Sequence, residues 1–186
     1  MATLPRFIES GAYFGRECPD SGSGVGAPYR YTLWRRWTGA PMVAFVMLNP
    51  SVANAYQLDP TVRRCCGFAH DWGYGGLLVL NAFALRSTDP RALKGHPDPV
   101  GPDNDYYLGR ACDLCEGRPD FVVAWGNHGH LNDRAGDVLQ LLHDHGVRPW
   151  CLGHTKTGAP KHPLYVAADA PRFLYDPERP MRTRER

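Results

Sequence analysis

The sequence predicts an α/β fold, a single three-layer domain with a mainly parallel central sheet. Short apolar runs alternate with helical segments along the chain, and polar residues stand immediately after several of those runs. Alternation of this kind implies parallel strands covered by helices on both faces. The chain has 186 residues, 43% of them hydrophobic, which suits one sizeable core and is too short for two ordinary domains.

Residues 1–28 are predicted to be an N-terminal arm or loop, because positions 11–28 are rich in Gly, Ser and Pro. The α/β domain is placed at 29–170 and a basic C-terminal tail at 171–186. Residues 29–37 alternate as a strand does, Thr38-Gly39-Ala40-Pro41 is a turn, and 42–48 is an apolar run too short for a helix. The two runs read as a hairpin leading into the first central strand. Residues 49–59 form a loop that ends at Asp59-Pro60-Thr61, an N-cap followed by proline at the first helical position, so a helix is expected to about Trp72. Gly73-Tyr74-Gly75-Gly76 ends it.

Residues 77–84 read as the next buried strand, and the connection through Pro90, Pro97, Pro99 and Pro102 is irregular. A helix is expected over 103–116 and a strand over 121–125. A further helix over 134–145 carries Val138, Leu141 and Leu142 on one face, and residues 148–152 form the last core strand.

Net charge is only +2, so the whole-molecule field does not announce a polyanion partner. Basic residues instead gather at Arg30, Arg35 and Arg36, at Arg63 and Arg64, at Lys156 and Lys161, and at the C-terminus. Clusters flanking the motif segments are suited to holding phosphates beside a pocket. No apolar stretch approaches the ~20 residues needed to span a bilayer, and the first nine residues carry no signal-peptide core. The expectation is a cytoplasmic monomer without membrane association. Cys18, Cys65, Cys66, Cys112, Cys115 and Cys151 are expected to be reduced. Cys112 and Cys115 have metal-site spacing but no second such pair, so neither metal nor cofactor is predicted.

Four short segments carry the chemistry: Leu48-Asn49-Pro50-Ser51, the run from Leu77 to Asn81, the run from Val122 to Gly126, and His162-Pro163-Leu164-Tyr165. Polar groups just beyond strand ends are where open α/β sheets build their sites. In this order the segments resemble the uracil-DNA glycosylase superfamily, in particular the mismatch-specific and thymine glycosylase branch and a group of small bacterial proteins. The resemblance covers roughly residues 40 to 168.

That resemblance implies hydrolysis of the N-glycosidic bond of a base flipped from DNA, leaving an abasic site. Asn49 would orient the attacking water, with Asp59 the rival for water activation and alternatively a helix cap. His162 would donate to the departing base, and Asn81 would read its edge. Tyr56, or in second place Phe68, would stack on the base, and Trp125 would pack beneath the site. Ser51, Val52 and Ala53 stand where uracil-specific enzymes carry a blocking Tyr, leaving room for a C5-modified pyrimidine such as hydroxymethylcytosine or its glucosylated form in phage DNA. Leu164 or Tyr165 would fill the gap left by the base, and Lys156, Lys161 and Arg63 would grip DNA. No Lys stands in the motif cores, so no Schiff-base step is implied. An N-glycosidase acting on free nucleotides, or a non-catalytic module binding modified DNA, are the alternative readings.

Overall fold

The structure is a computed structural model that describes residues 4–14, 27–51, 58–115 and 119–178. Its strands are β1 (Glu9–Tyr13), β2 (Thr32–Arg36), β3 (Met42–Met47), β4 (Gly76–Asn81), β5 (Asp120–Val123), β6 (Trp150–Cys151) and β7 (Phe173–Leu174). Its helices are α1 (Pro60–Asp71), α2 (Ala92–Gly95), α3 (Asn104–Gly109), α4 (Ala111–Leu114) and α5 (Arg134–Asp144).

Seven strands form one sheet in the order β1-β2-β4-β3-β5-β6-β7. β4, β3, β5 and β6 are mutually parallel, whereas β1 and β2 at one edge and β7 at the other run antiparallel to their neighbours. The fold is thus α/β, with a parallel centre and antiparallel margins.

The all-apolar runs occupy the centre because both of their faces are covered. Ala44, Val46, Leu78, Leu80, Phe121 and Val123 enter one core with residues of α3, α4 and α5. Val43, Phe45, Met47, Leu77, Val79 and Val122 enter a second core against Val62, Cys65, Cys66, Phe68 and Ala69 of α1. Period-2 alternation divides each strand between the two layers.

The expected hairpin between β2 and β3 does not form. β2 pairs with β1 and β4, and β4 separates it from β3. β3, being apolar throughout, takes parallel partners on both sides, and the more polar β2 is displaced toward the edge. The turn at 38–41 instead grips the start of β4: Trp37 N and Thr38 N donate to Gly75 O at 2.9 and 3.0 Å, and Gly75 N donates to Pro41 O at 2.8 Å. A Cβ at Gly75 would lie 2.4 Å from Ala40 O, so this embrace requires glycine.

Two boundary segments also depart from expectation. Part of the supposed N-terminal arm is β1, paired over Glu9–Tyr13 with Tyr13 opposite Thr32. Part of the supposed tail is β7, and ahead of it Arg172 lies over the rings of Trp72, Tyr74 and Trp150 at 5.2, 5.6 and 4.9 Å from their centroids. The same guanidinium meets Asp120 at 3.1 Å, so it is a fastening rather than a free basic residue. Residues 179–186, the remainder of the tail, lie outside the described residues.

α1 begins where expected. Asp59 is its N-cap, accepting from Val62 N at 2.7 Å, and Pro60 opens the helix without sacrificing a backbone donor. The helix expected over 103–116 is divided at Arg110, next to Gly109, into α3 and α4. Glycine in a helix interior costs about 1 kcal/mol relative to alanine. Among the described residues no helix is long and apolar enough to cross a membrane.

Candidate active site

The sheet has a topological switch at β3: the chain passes through α1 to β4 on one side of it and later enters β5 on the other. Connections that leave in opposite directions open a crevice beyond the carboxyl ends of the two strands. A cavity of about 620 Å³ lies there, bordered by Met47, Leu48 and Asn49 after β3 and by Trp125 and Gly126 after β5. Gly126 adopts φ +68, a backbone state that an L side chain would strain, and its N–H donates to Pro160 O at 2.9 Å.

Asn49 borders the cavity with its amide orientation fixed by its surroundings. Its Nδ2 approaches the backbone oxygens of Pro50, Leu85 and Ser87 at 3.2, 3.3 and 2.9 Å. Carbonyl oxygens only accept, so the reverse orientation would set Oδ1 against three acceptors. The amide therefore spends its donors on the loop and offers Oδ1 to the cavity as an acceptor.

Asp59 also borders the cavity, but both of its oxygens are engaged: Oδ1 caps α1, and Oδ2 accepts from Ser51 Oγ. These bonds make it a positioned negative charge that ties the Asn49–Ser51 loop to the start of α1. The two roles separate cleanly in Asp59→Asn, since asparagine caps a helix about as well as aspartate. Thermal unfolding of that variant is expected to stay within about 1 kcal/mol of the parent.

His162 faces the same cavity from the far loop. Its Nδ1 accepts from Leu164 N at 3.4 Å, which assigns the ring proton to Nε2. Burial holds its pKa below the ordinary 6.5, opposed by the negative charge of Asp59. The ring is therefore neutral at neutral pH and presents an N–H donor. Because the folded pKa is depressed, the associated stability is present above pH 6.5 and is lost as pH falls through the lowered value.

Lys156, Lys161 and Tyr165 border the cavity as well. The two lysines are carried on a closed loop: Thr155 N donates to Ala159 O at 2.7 Å and Lys161 N to Gly153 O at 2.9 Å. Leu164 is outside the cavity lining but 43% exposed, a branched apolar side chain projecting beside Tyr165, which is 80% exposed. Leu164 is therefore not a core residue.

The other expected residues divide. Asn81 is fully buried and does not border the cavity, yet it is the register partner of Met47, which does. Residues paired in register point to the same face, so Asn81 stands one strand, about 4.8 Å, from the cavity wall. Neither atom of its side-chain amide finds a hydrogen-bond partner among the described residues. Phe68 is a core residue stacked on Trp72 at 5.4 Å and cannot stack on a ligand. Arg63 is exposed on α1 and away from the cavity. Trp125 is buried and borders the cavity. Val52, Ala53 and Tyr56 lie outside the described residues.

The principal cavity residue absent from the sequence assignments is Arg30, 1% exposed and bordering the cavity. It enters through the bridge between Tyr29 and Leu85 and a bond from its own N–H to Ala84 O at 3.0 Å. The basic cluster was visible in the sequence, but the pairing that turns one member inward is nonlocal.

Fold and site together define an open-sheet α/β protein with a cavity at its topological switch that carries several basic side chains. Residues 30–164 match DUF1643, a family described as protein of unknown function, and the chain belongs to that family. No curated protein and no solved structure matches it.

Proposed function

We propose that the protein is a monofunctional DNA glycosylase that hydrolyses the N-glycosidic bond of a pyrimidine flipped into the cavity, with a C5-modified base as the preferred substrate. The observation that carries this reading is the pairing of an oriented acceptor, Asn49 Oδ1, with a neutral donor, His162 Nε2–H, on one cavity. Cleavage of the bond moves its electron pair onto the base while C1′ becomes cationic. Water must then reach C1′ from an acceptor that orients it, and the base must be met by a donor whose bond strengthens as charge arrives.

In the proposed step the C1′–N1 bond breaks, the water oxygen bonds to C1′, and one water proton balances the base anion so that the products are a free base and an abasic sugar. Asn49 orients the water and His162 donates to a base oxygen. Asn81, unpartnered and one strand from the wall, is the candidate reader of the base edge, which requires the base to approach beyond Met47. Leu164 would occupy the gap in the stack, offsetting part of the few kcal/mol that extrusion costs. The resemblance to uracil-DNA glycosylases supports the same roles.

The decisive assay incubates the full chain with duplexes carrying uracil, mismatched thymine, hydroxymethylcytosine or glucosylated hydroxymethylcytosine, and reveals abasic sites with alkali. Matching free nucleotides test the alternative of a nucleotide N-glycosidase. Release from none of the duplexes rejects the reading.

A phosphate grip by the 153–161 loop makes a separate prediction. Lys161→Ala is expected to weaken DNA binding about equally for all sequences and to flatten its salt dependence by about one unit per lost phosphate contact. Fluorescence anisotropy at graded salt measures this, and an unchanged slope removes Lys161 from the interface.

A further inference from the structure

Among the described residues the cavity is lined by three basic side chains, Arg30, Lys156 and Lys161, and by one carboxylate, Asp59, whose two oxygens accept from Val62 N at the helix cap and from Ser51 Oγ. The three cations do not occupy equivalent places. Lys156 and Lys161 belong to a loop at the surface, whereas Arg30 is 1% exposed. A group that keeps to the outside of the protein, as DNA phosphates do, reaches the lysines and not Arg30. Only what enters the cavity reaches it.

Arg30 remains charged at neutral pH even though burial, reinforced by Arg86 and Arg35, lowers its pKa to about 10, with Asp59 acting in the opposite direction. Removing a cation from water costs several kcal/mol, and Coulomb interactions in such a site are stronger than in solvent. A fixed, dry positive charge is therefore most effective toward negative charge that appears beside it during a reaction, because no solvent has to reorganise.

Resting on the glycosylase reading, we propose that Arg30 is a further catalytic residue: its guanidinium contacts the base inside the cavity and stabilises the electron pair that the base receives as the C1′–N1 bond breaks. His162 donates a neutral hydrogen bond to the departing base, and Arg30 supplies the countercharge. Two such groups suit a pyrimidine that leaves poorly, since each decrease in acidity at N1 leaves more charge for the wall to hold.

The test is a leaving-group series. Single-turnover release is measured for duplexes that differ only in carrying 5-fluorouracil, uracil, 5-hydroxymethyluracil, thymine or hydroxymethylcytosine, and log rate is plotted against the acidity of the free base at N1. Arg30→Gln is expected to lose ~10²–10³-fold on the poorest leaving group and progressively less toward the best. The plot therefore steepens, and Arg30→Lys restores part of the original slope. The slope is a ratio among substrates, so a reduced fraction of folded protein does not alter it.

A parallel displacement of the plot, or no change, means that Arg30 serves the fold or Asp59 and overturns the assignment while leaving the glycosylase reading intact. Failure of the parent protein to release any of these bases, and glucosylated hydroxymethylcytosine as well, overturns that reading, and the assignment falls with it.

Discussion

Asn49→Ala is expected to lower the rate of base release by ~10²–10⁴-fold, the usual range for a group that assists proton transfer to or from the attacking water. DNA affinity should change little, because Asn49 lies in the cavity wall and carries no charge for a phosphate. Single-turnover kinetics at saturating protein separate the two effects. A near-normal rate would remove Asn49 from the chemistry. The companion substitution Asn49→Asp is more revealing. A carboxylate is the stronger base in isolation, but here it would face the oxygens of Pro50, Leu85 and Ser87 with no N–H to offer. Acceptor–acceptor repulsion should displace or protonate it, so Asn49→Asp is expected to be no more active than Asn49→Ala and less stable than the parent. A gain in activity would show that basicity, not orientation, limits the step.

His162→Ala should cost ~10²–10³-fold in the chemical step, the loss typical of one donor to a developing oxyanion. The effect should be greatest for bases that leave poorly. The pH profile supplies a second readout. If the neutral ring is the active form, the acid limb of the parent lies below pH 6.5, because burial lowers the His162 pKa. Asp59 opposes that lowering, so Asp59→Asn should carry the acid limb to still lower pH, and His162→Ala should abolish it. An acid limb above pH 6.5 would assign the titration to another group.

Much of the parallel centre was legible in the sequence because its signals are local. Six consecutive buried apolar residues mark each of two strands, except that β4 ends in Asn81, and Asp59-Pro60 marks the start of α1 within one residue. Asn49 and His162 were recognisable by motif, and they do border one cavity although 113 positions separate them in the chain.

What escaped depends on distant partners. The strand after residue 29 showed its alternation but not its neighbours, and a hairpin was the shortest-range guess. Its actual partners are β1 and β4, chosen by which edges the central strands leave free. Arg30 and Arg172 looked alike in composition, yet one lines the cavity and the other closes a box of aromatic rings. Side-chain chemistry gives no hint of that division.

β6 and β7 are hydrogen-bonded neighbours, with Trp150 opposite Leu174 and Cys151 opposite Phe173. Residues 152–172, which carry Lys156, Lys161, His162, Leu164 and Tyr165, are thus a loop whose two ends are fixed side by side. Arg172 fastens the returning end, and a bond from Arg64 of α1 to Val166 O fastens the middle. Loop-closure entropy is consequently lost when the chain folds and not when a ligand arrives. Ordering a rotamer-rich side chain on binding still costs about 0.5–1.5 kcal/mol each, but the backbone beneath these five residues is already committed. The segment can act as one preset jaw: whatever duplex it meets must conform to the spacing between wedge and lysines, so that the deformability of the DNA contributes to the choice of target.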